Sequence, residues 1–111
     1  MNRQHVMLVR AQPGSPQADQ AFALAQRWDR QSRSGLVFFH GPGLAHGLSD
    51  RRSGFAALHS DRVELLVCRA GWRRLQAGPL DPPFAEGSLM QFWSKALRAE
   101  EVHSFGALNG L

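Results

Sequence analysis

The chain has one cysteine, one lysine and no tyrosine among 111 residues. With a single thiol, Cys68, no internal disulfide can form and no cysteine-rich zinc framework can be built. A lone free thiol fits a reducing compartment. No stretch approaches the roughly 18 consecutive apolar residues that a membrane-spanning helix needs. The apolar segment near the start, Val6 to Val9, is shorter than the core of a signal peptide, and no small-residue cleavage pattern follows it. The expected location is therefore the cytoplasm, with no membrane association. No internal repeat, low-complexity tract or linker breaks the sequence, so residues 1–111 are expected to form a single domain.

The charge that is present is mostly arginine. All but one of the 13 basic residues are Arg, Lys95 being the exception, and they stand against 9 acidic residues for a formal charge of +4. A surplus of this size favours acidic partners without distinguishing protein from nucleic acid. The arginines are scattered and no stacking-aromatic motif accompanies them, which sets nucleic-acid binding aside as the weaker reading.

Hydrophobic patterning gives an alternating order of elements. His5 to Ala11 reads as a strand ended by the turn cluster Gln12-Pro13-Gly14-Ser15-Pro16. Gln17 to Gln31 carries Ala18, Ala21, Phe22 and Ala25 at helical spacing, with Gly35 as a C-cap. Leu36 to His40 is apolar on both faces and reads as a central strand. A loop over 41–47 and a short helix over 51–58 follow. Val63 to Cys68 is a third strand, and Trp72 to Gln76 a short helix. Leu80 to Glu86, rich in proline, is expected to be irregular. Ser88 is a candidate N-cap for a helix from Leu89 to about Ala99, and Glu101 to Phe105 reads as the last strand. Strands alternating with helices predict an α/β fold: three layers, a mostly parallel sheet of about five strands, and helices on both faces.

Cys68 ends its strand and is followed by Arg69-Ala70-Gly71-Trp72-Arg73-Arg74. A thiol at a strand-to-helix turn meets the positive end of a helix, and nearby cations add to that field. Both favour the thiolate, the nucleophilic form. The alternative is a small buried hydrophobe at a strand end. His40 and His46 flank a glycine-rich loop after the second strand, and functional groups of open parallel sheets collect at such carboxyl ends. Surface loop histidines are the plain alternative. His5, His59 and His103 are read as structural. Gly41, Gly43 and Gly47 resemble a phosphate loop only faintly: the Gly-Lys-Ser/Thr ending is missing and Pro42 removes an amide donor. No cofactor is required, and no ligand spacing supports a metal site. Phe92 and part of Trp93 read as core. Trp72, Leu80 and Phe84, in or beside the proline-rich stretch, are candidates for a subunit interface.

Four segments together resemble the DsrE/TusD family of sulfur-relay proteins. LLVCRAGWRR (Leu65 to Arg74) is similar to the cysteine-bearing strand, turn and helix, and QADQAFALAQRW (Gln17 to Trp28) to the first helix. LVFFHGPGLAHG (Leu36 to Gly47) is similar to the second strand and its loop, and GSLMQFWSKALRAEEVHSFG (Gly87 to Gly106) to the last helix and closing strand. The resemblance implies a DsrE/flavodoxin-like fold and a carrier or sulfurtransferase that holds sulfane sulfur as a persulfide on Cys68. Arg69, Arg73 and Arg74 would tune that thiol and guide docking, with His40 and His46 in support. It also implies small sulfur-carrier proteins as donor and acceptor, in sulfur oxidation or tRNA thiolation. The assembly it implies is a homo-oligomer, a trimer favoured, or a hetero-oligomer of homologous subunits. Some subunits of the family assemble complexes without carrying sulfur, and that is the alternative function. The family's loop after the second strand often holds a tyrosine; here His40 stands nearest.

Overall fold

The computed structural model describes residues 4–48, 54–58 and 62–106. Five strands form one sheet: β1 (His5–Val9), β2 (Gly35–Phe39), β3 (Val63–Cys68), β4 (Phe84–Gly87) and β5 (Glu101–Phe105). Their order is β4-β3-β2-β1-β5, and every pairing is parallel. Three α-helices connect them: α1 (Pro16–Arg30), α2 (Arg69–Leu75) and α3 (Leu89–Ala96). Two 3-10 helices, η1 (Gly41–Gly47) and η2 (Gly54–Ala57), lie between β2 and β3.

Helix α1 begins at Pro16 because Ser15 caps it, its hydroxyl accepting from the Ala18 amide at 3.2 Å. Ser32, with φ +55°, makes the left-handed turn after it. Gly35, expected as the C-cap, is instead the first residue of β2. It must be glycine for another reason: a Cβ there would lie 2.4 Å from the Trp28 ring. Helix α3 starts at a full capping box, with Ser88 and Gln91 each satisfying the other's backbone amide.

Three elements differ from expectation. The segment expected to be irregular ends in β4, a four-residue edge strand paired only with β3. Its prolines stop at Pro83, and Phe-Ala-Glu-Gly carries too little apolar alternation to be read as a strand. The loop over 41–47 is the 3-10 helix η1. Helix α2 starts at Arg69, directly after β3, not at Trp72. Of the short helix expected over 51–58, η2 is the described part; Arg51 and Arg52 lie outside the described residues.

Strand alternation assigns side chains to two faces. His5, Met7, Val9, Gly35, Val37, Phe39, Leu65, Val67 and Phe84 point to the face covered by α1, η1, η2 and α2. Trp28 stacks on His5 there, and Phe39 meets His46, Phe55 and Phe84. Val6, Leu8, Leu36, Phe38, Glu64, Leu66 and Cys68 point to the other face, where α3 lies. Phe92 packs on Phe38 with ring centres 5.2 Å apart, and Lys95 reaches Glu64 at 2.8 Å. Among the described residues α3 is the one helix on that side.

Candidate functional site

Right-handed parallel crossovers bring the carboxyl ends of all strands to one rim of the sheet. The register Val9–Phe39–Val67 sets the next residues, Arg10, His40 and Cys68, side by side along that rim. Cys68 is also the register partner of Gly87, the last residue of β4. Gly87 carries no side chain beside the thiol; a Cβ there would lie 2.8 Å from the Leu66 Cδ1, so that side chain would have to shift to admit one. Ser88 and α3 begin immediately after it. Cys68 thus occupies the N-cap position of α2 and borders the start of α3.

Cys68 is a free thiol and is 6% exposed. At that burial, reaction with a reagent requires the local cover to move.

His40 is extended, half-buried, and fixed by Arg10, whose guanidinium donates to Nδ1 at 2.5 Å. Burial first, and the Arg10 charge second, hold the His40 pKa below its ordinary 6.5. With Nδ1 accepting, the neutral ring carries its proton on Nε2 and offers it as a donor. Alternation directs His40 to the same face as Cys68. Gly41 follows with φ +55°, and a Cβ there would lie 2.7 Å from the Arg10 guanidinium, so the arginine covers the turn closely.

His46 is placed differently. It is buried on the α1 side between Phe39 and Phe55, and its Nε2–H donates to the Ala11 carbonyl at 2.9 Å. Burial lowers its pKa, and the Ala11 carbonyl opposes that only in part. The sheet separates it from the face of Cys68.

The arginines also divide. Arg69 is the first residue of α2, exposed and adjacent to the thiol in sequence. Because α2 starts at Arg69, Arg73 and Arg74 fall in its last turn, where the helix carbonyls favour cations. Arg73 donates to Glu86 at 3.2 Å on the α1 side. A cavity of about 320 Å³ lies there, bounded by Trp72, Arg73, Gly78 and Glu86. Trp72 closes one wall by donating to the Gly78 carbonyl at 2.7 Å. Trp72 and Phe84 are buried and Leu80 is partly so; all three pack with the core, and the aromatic that the surface exposes is Trp93.

The sequence reading missed Arg10. The signal was available: Arg10 and His40 each follow a five-residue apolar strand, and adjacent parallel strands bring such residues together. Among the remaining histidines, His5 stacks on Trp28 with Nδ1 3.1 Å from Glu101, and His103 lies across the same indole. His59 lies outside the described residues. Among the described residues no three His, Cys, Asp or Glu side chains form a group that could hold a metal ion.

No protein-family model matches the chain, and no curated protein does. Among solved structures, the crystal structure of the YchN protein from E. coli superposes with a TM-score of 0.73 at 19% identity. The match covers 95% of this chain and all of that one. At that identity the likeness bears on architecture alone. The parallel five-stranded α/β sheet of this chain is a DsrE-like, flavodoxin-related fold.

Proposed function

We propose that the protein is a cytoplasmic sulfur carrier that accepts sulfane sulfur on Cys68 and passes it to a partner protein's thiol. The observation that supports this most is the position of Cys68: the chain's one thiol, at the carboxyl rim of a DsrE-like sheet, beside the bare Gly87 and in register with His40. No helix among the described residues is long and apolar enough to cross a membrane. A reducing compartment would keep the thiol free.

The chemistry is a relative of thiol–disulfide exchange. The Cys68 thiolate attacks the outer sulfur of a donor persulfide. The donor's S–S bond breaks, its inner sulfur leaves as a thiolate, and Cys68 becomes the persulfide. A second thiolate, on the acceptor, repeats the attack on the outer sulfur and returns Cys68 to the thiolate. No net oxidation occurs and no cofactor is needed. His40 offers Nε2–H to the persulfide anion. Arg69 offers exposed charge to an acidic partner, and small sulfur-carrier proteins serve as donor and acceptor.

Intact-mass measurement after incubation with polysulfide tests the reading. The native protein is expected to gain the mass of one sulfur atom, lose it on adding a dithiol, and gain nothing as Cys68→Ser. A native protein that takes up no sulfur until denatured would overturn it.

The burial of Cys68 supports one rival: an assembly subunit of a sulfur-trafficking complex in which the thiol is a packing residue. In that case Cys68→Ser retains full cellular function, whereas the carrier loses it.

A further inference from the structure

We propose that the cleft between the last turn of α1 and the start of β5 binds a phosphoryl oxyanion, as inorganic phosphate or a small phosphate monoester. The cleft lies at the amino rim of the sheet, the end opposite Cys68. Among the described residues, three buried side-chain nitrogens have no hydrogen-bond partner: His5 Nδ1, Trp28 Nε1 and His103 Nε2. Buried polar atoms are nearly always paired, so each orphan calls for a cause. These three belong to one group of rings, with the Trp28 indole against both imidazoles.

The three nitrogens converge on β5. The benzo edge of Trp28 lies against Gly35 on β2, where a Cβ would come within 2.4 Å of Cε3. The opposite edge, which carries Nε1, therefore turns toward β1 and β5. Arg33 donates to His5 Nε2 at 3.4 Å, so the neutral ring carries its proton on Nδ1. His103 is itself on β5. The Glu101 carboxylate stands between the imidazoles, with Oε2 3.1 Å from His5 Nδ1 and 3.7 Å from His103 Nε2. It is hydrogen-bonded to neither. Glu101 is an exposed residue at the edge of the sheet, and its side chain can swing into solvent. The chain's own carboxylate thus marks the place of a ligand oxygen.

The donors define the class of ligand. An indole N–H and the His5 Nδ1–H can only donate, so the occupant brings acceptor oxygens and is not a metal cation. Arg27 and Arg33 line the cleft beside Glu101, which favours an anion. Glu100 stands on the other side of His5, 4.0 Å from Nε2. The helix carbonyls that would oppose an anion at this end are taken: those of Arg27, Trp28 and Asp29 accept from Gln31, Arg33 and Ser32. The His5 and Trp28 rings are stacked, with centres 5.6 Å apart, and His103 is tilted 49° from the indole. Their N–H bonds lie in the ring planes and so arrive on different levels. Tetrahedral oxygens accept from several levels at once, whereas the two oxygens of a carboxylate share one plane. The cleft holds about 260 Å³, just under the roughly 300–1,000 Å³ of drug-sized pockets, so it suits a small ester.

Titration of the full chain with inorganic phosphate, with glycerol phosphate and with acetate, at constant ionic strength, tests this by nuclear magnetic resonance of the three indole N–H groups. The Trp28 signal, assigned through Trp28→Phe, should shift saturably with both phosphates and little with acetate, while Trp72 and Trp93 stay in place. Tighter binding of glycerol phosphate would identify an ester as the ligand, and equal binding the free ion. Arg27→Gln and Arg33→Gln, both at exposed positions, should each weaken binding about tenfold. Arg74→Gln, exposed on α2 over the other half of the sheet, should leave it unchanged. Glu101→Gln should tighten binding, because it removes the carboxylate that competes for the same donors; a merely structural Glu101 would not do so. Far-UV circular dichroism confirms that each variant is folded. No saturable shift, an equal shift of all three indoles, acetate as effective as phosphate, or weaker binding by Glu101→Gln would overturn the proposal. Cys68→Ser should bind phosphate normally, so this inference and the sulfur-carrier reading can fail separately.

Discussion

The two faces of the sheet are built from similar strands and finished differently. On one, α1, both 3-10 helices and α2 bury Trp28, Phe39, Phe55 and Phe84 in a continuous aromatic cluster. On the other, a single two-turn helix covers the centre and leaves Leu8 and Val102 partly open, with Trp93 standing beside them. Right-handed crossovers explain the imbalance. Four successive strands run in one direction across the sheet, so the described helices between them, α1, η1, η2 and α2, lie on the same face. Among the described residues, only the return from β4 to β5 through α3 crosses the other. The face with less cover also holds the candidate thiol.

Two tryptophans break or sharpen that contrast most directly. Trp28→Ala, on the covered face, is expected to cost about 3–5 kcal/mol because it removes a buried indole and leaves a cavity. Denaturant unfolding measures it. Trp93→Ala should cost less than about 1 kcal/mol under conditions where the chain is monomeric. Equal losses at the two sites would erase the distinction between the faces.

Gly35→Ala probes the same covered face by overpacking. Its Cβ meets the Trp28 ring, and a loss of about 1–3 kcal/mol is expected. The reference is Ala85→Gly on the α3 side of β4, where the removed methyl is exposed and the change should be under about 1 kcal/mol.

Acid separates the faces by a smaller amount. His46 and His40 have pKa values lowered in the folded state, so the unfolded chain binds their protons more readily. The stability that these neutral imidazoles contribute is complete above the ordinary value of 6.5 and is lost as pH falls below it, through the lowered folded values. His46→Phe should flatten this acid limb, because the aromatic pocket of Phe39 and Phe55 accepts a ring that does not titrate. It should also cost about 1–3 kcal/mol at neutral pH by leaving the Ala11 carbonyl without its donor. Unfolding midpoints measured from pH 5 to 8 decide this; an unchanged acid limb would sink it.

The smallest effect belongs to Lys95→Ala. The Lys95–Glu64 pair on the open face is half exposed on both sides, so water screens it and about 0.2–1 kcal/mol is at stake. A larger loss would mean that this face is drier than its exposure implies.

Local sequence carries much of the architecture because strands and helices are written in short-range periodicity. The apolar runs at Val6, Leu36 and Val63, the Ser15 and Ser88 caps, and the placement of Cys68 at a strand end all follow from neighbours within a few residues. Strand β4 was hidden because its pairing with β3 is non-local and its own residues are nearly neutral in preference. At the candidate site, Cys68 and His40 were visible as strand-end residues, whereas Arg10 became visible only through the register that sets it beside His40. His46 follows His40 by six residues and faces the other way, since the 3-10 helix η1 carries the chain about two turns from the strand end to the α1 side of the sheet.

The amino-acid sequence alone determined the alternation of strands and helices, the parallel α/β class that alternation forces, and a single thiol at the end of the third strand. Tertiary structure decided which apolar side chains are core and which are surface. Helix α3 has apolar residues around more than half its circumference, so periodicity cannot say which flank meets the sheet. The packing of Phe92 on Phe38 settled that, and the same rotation that buried Phe92 turned Trp93 and Leu97 outward.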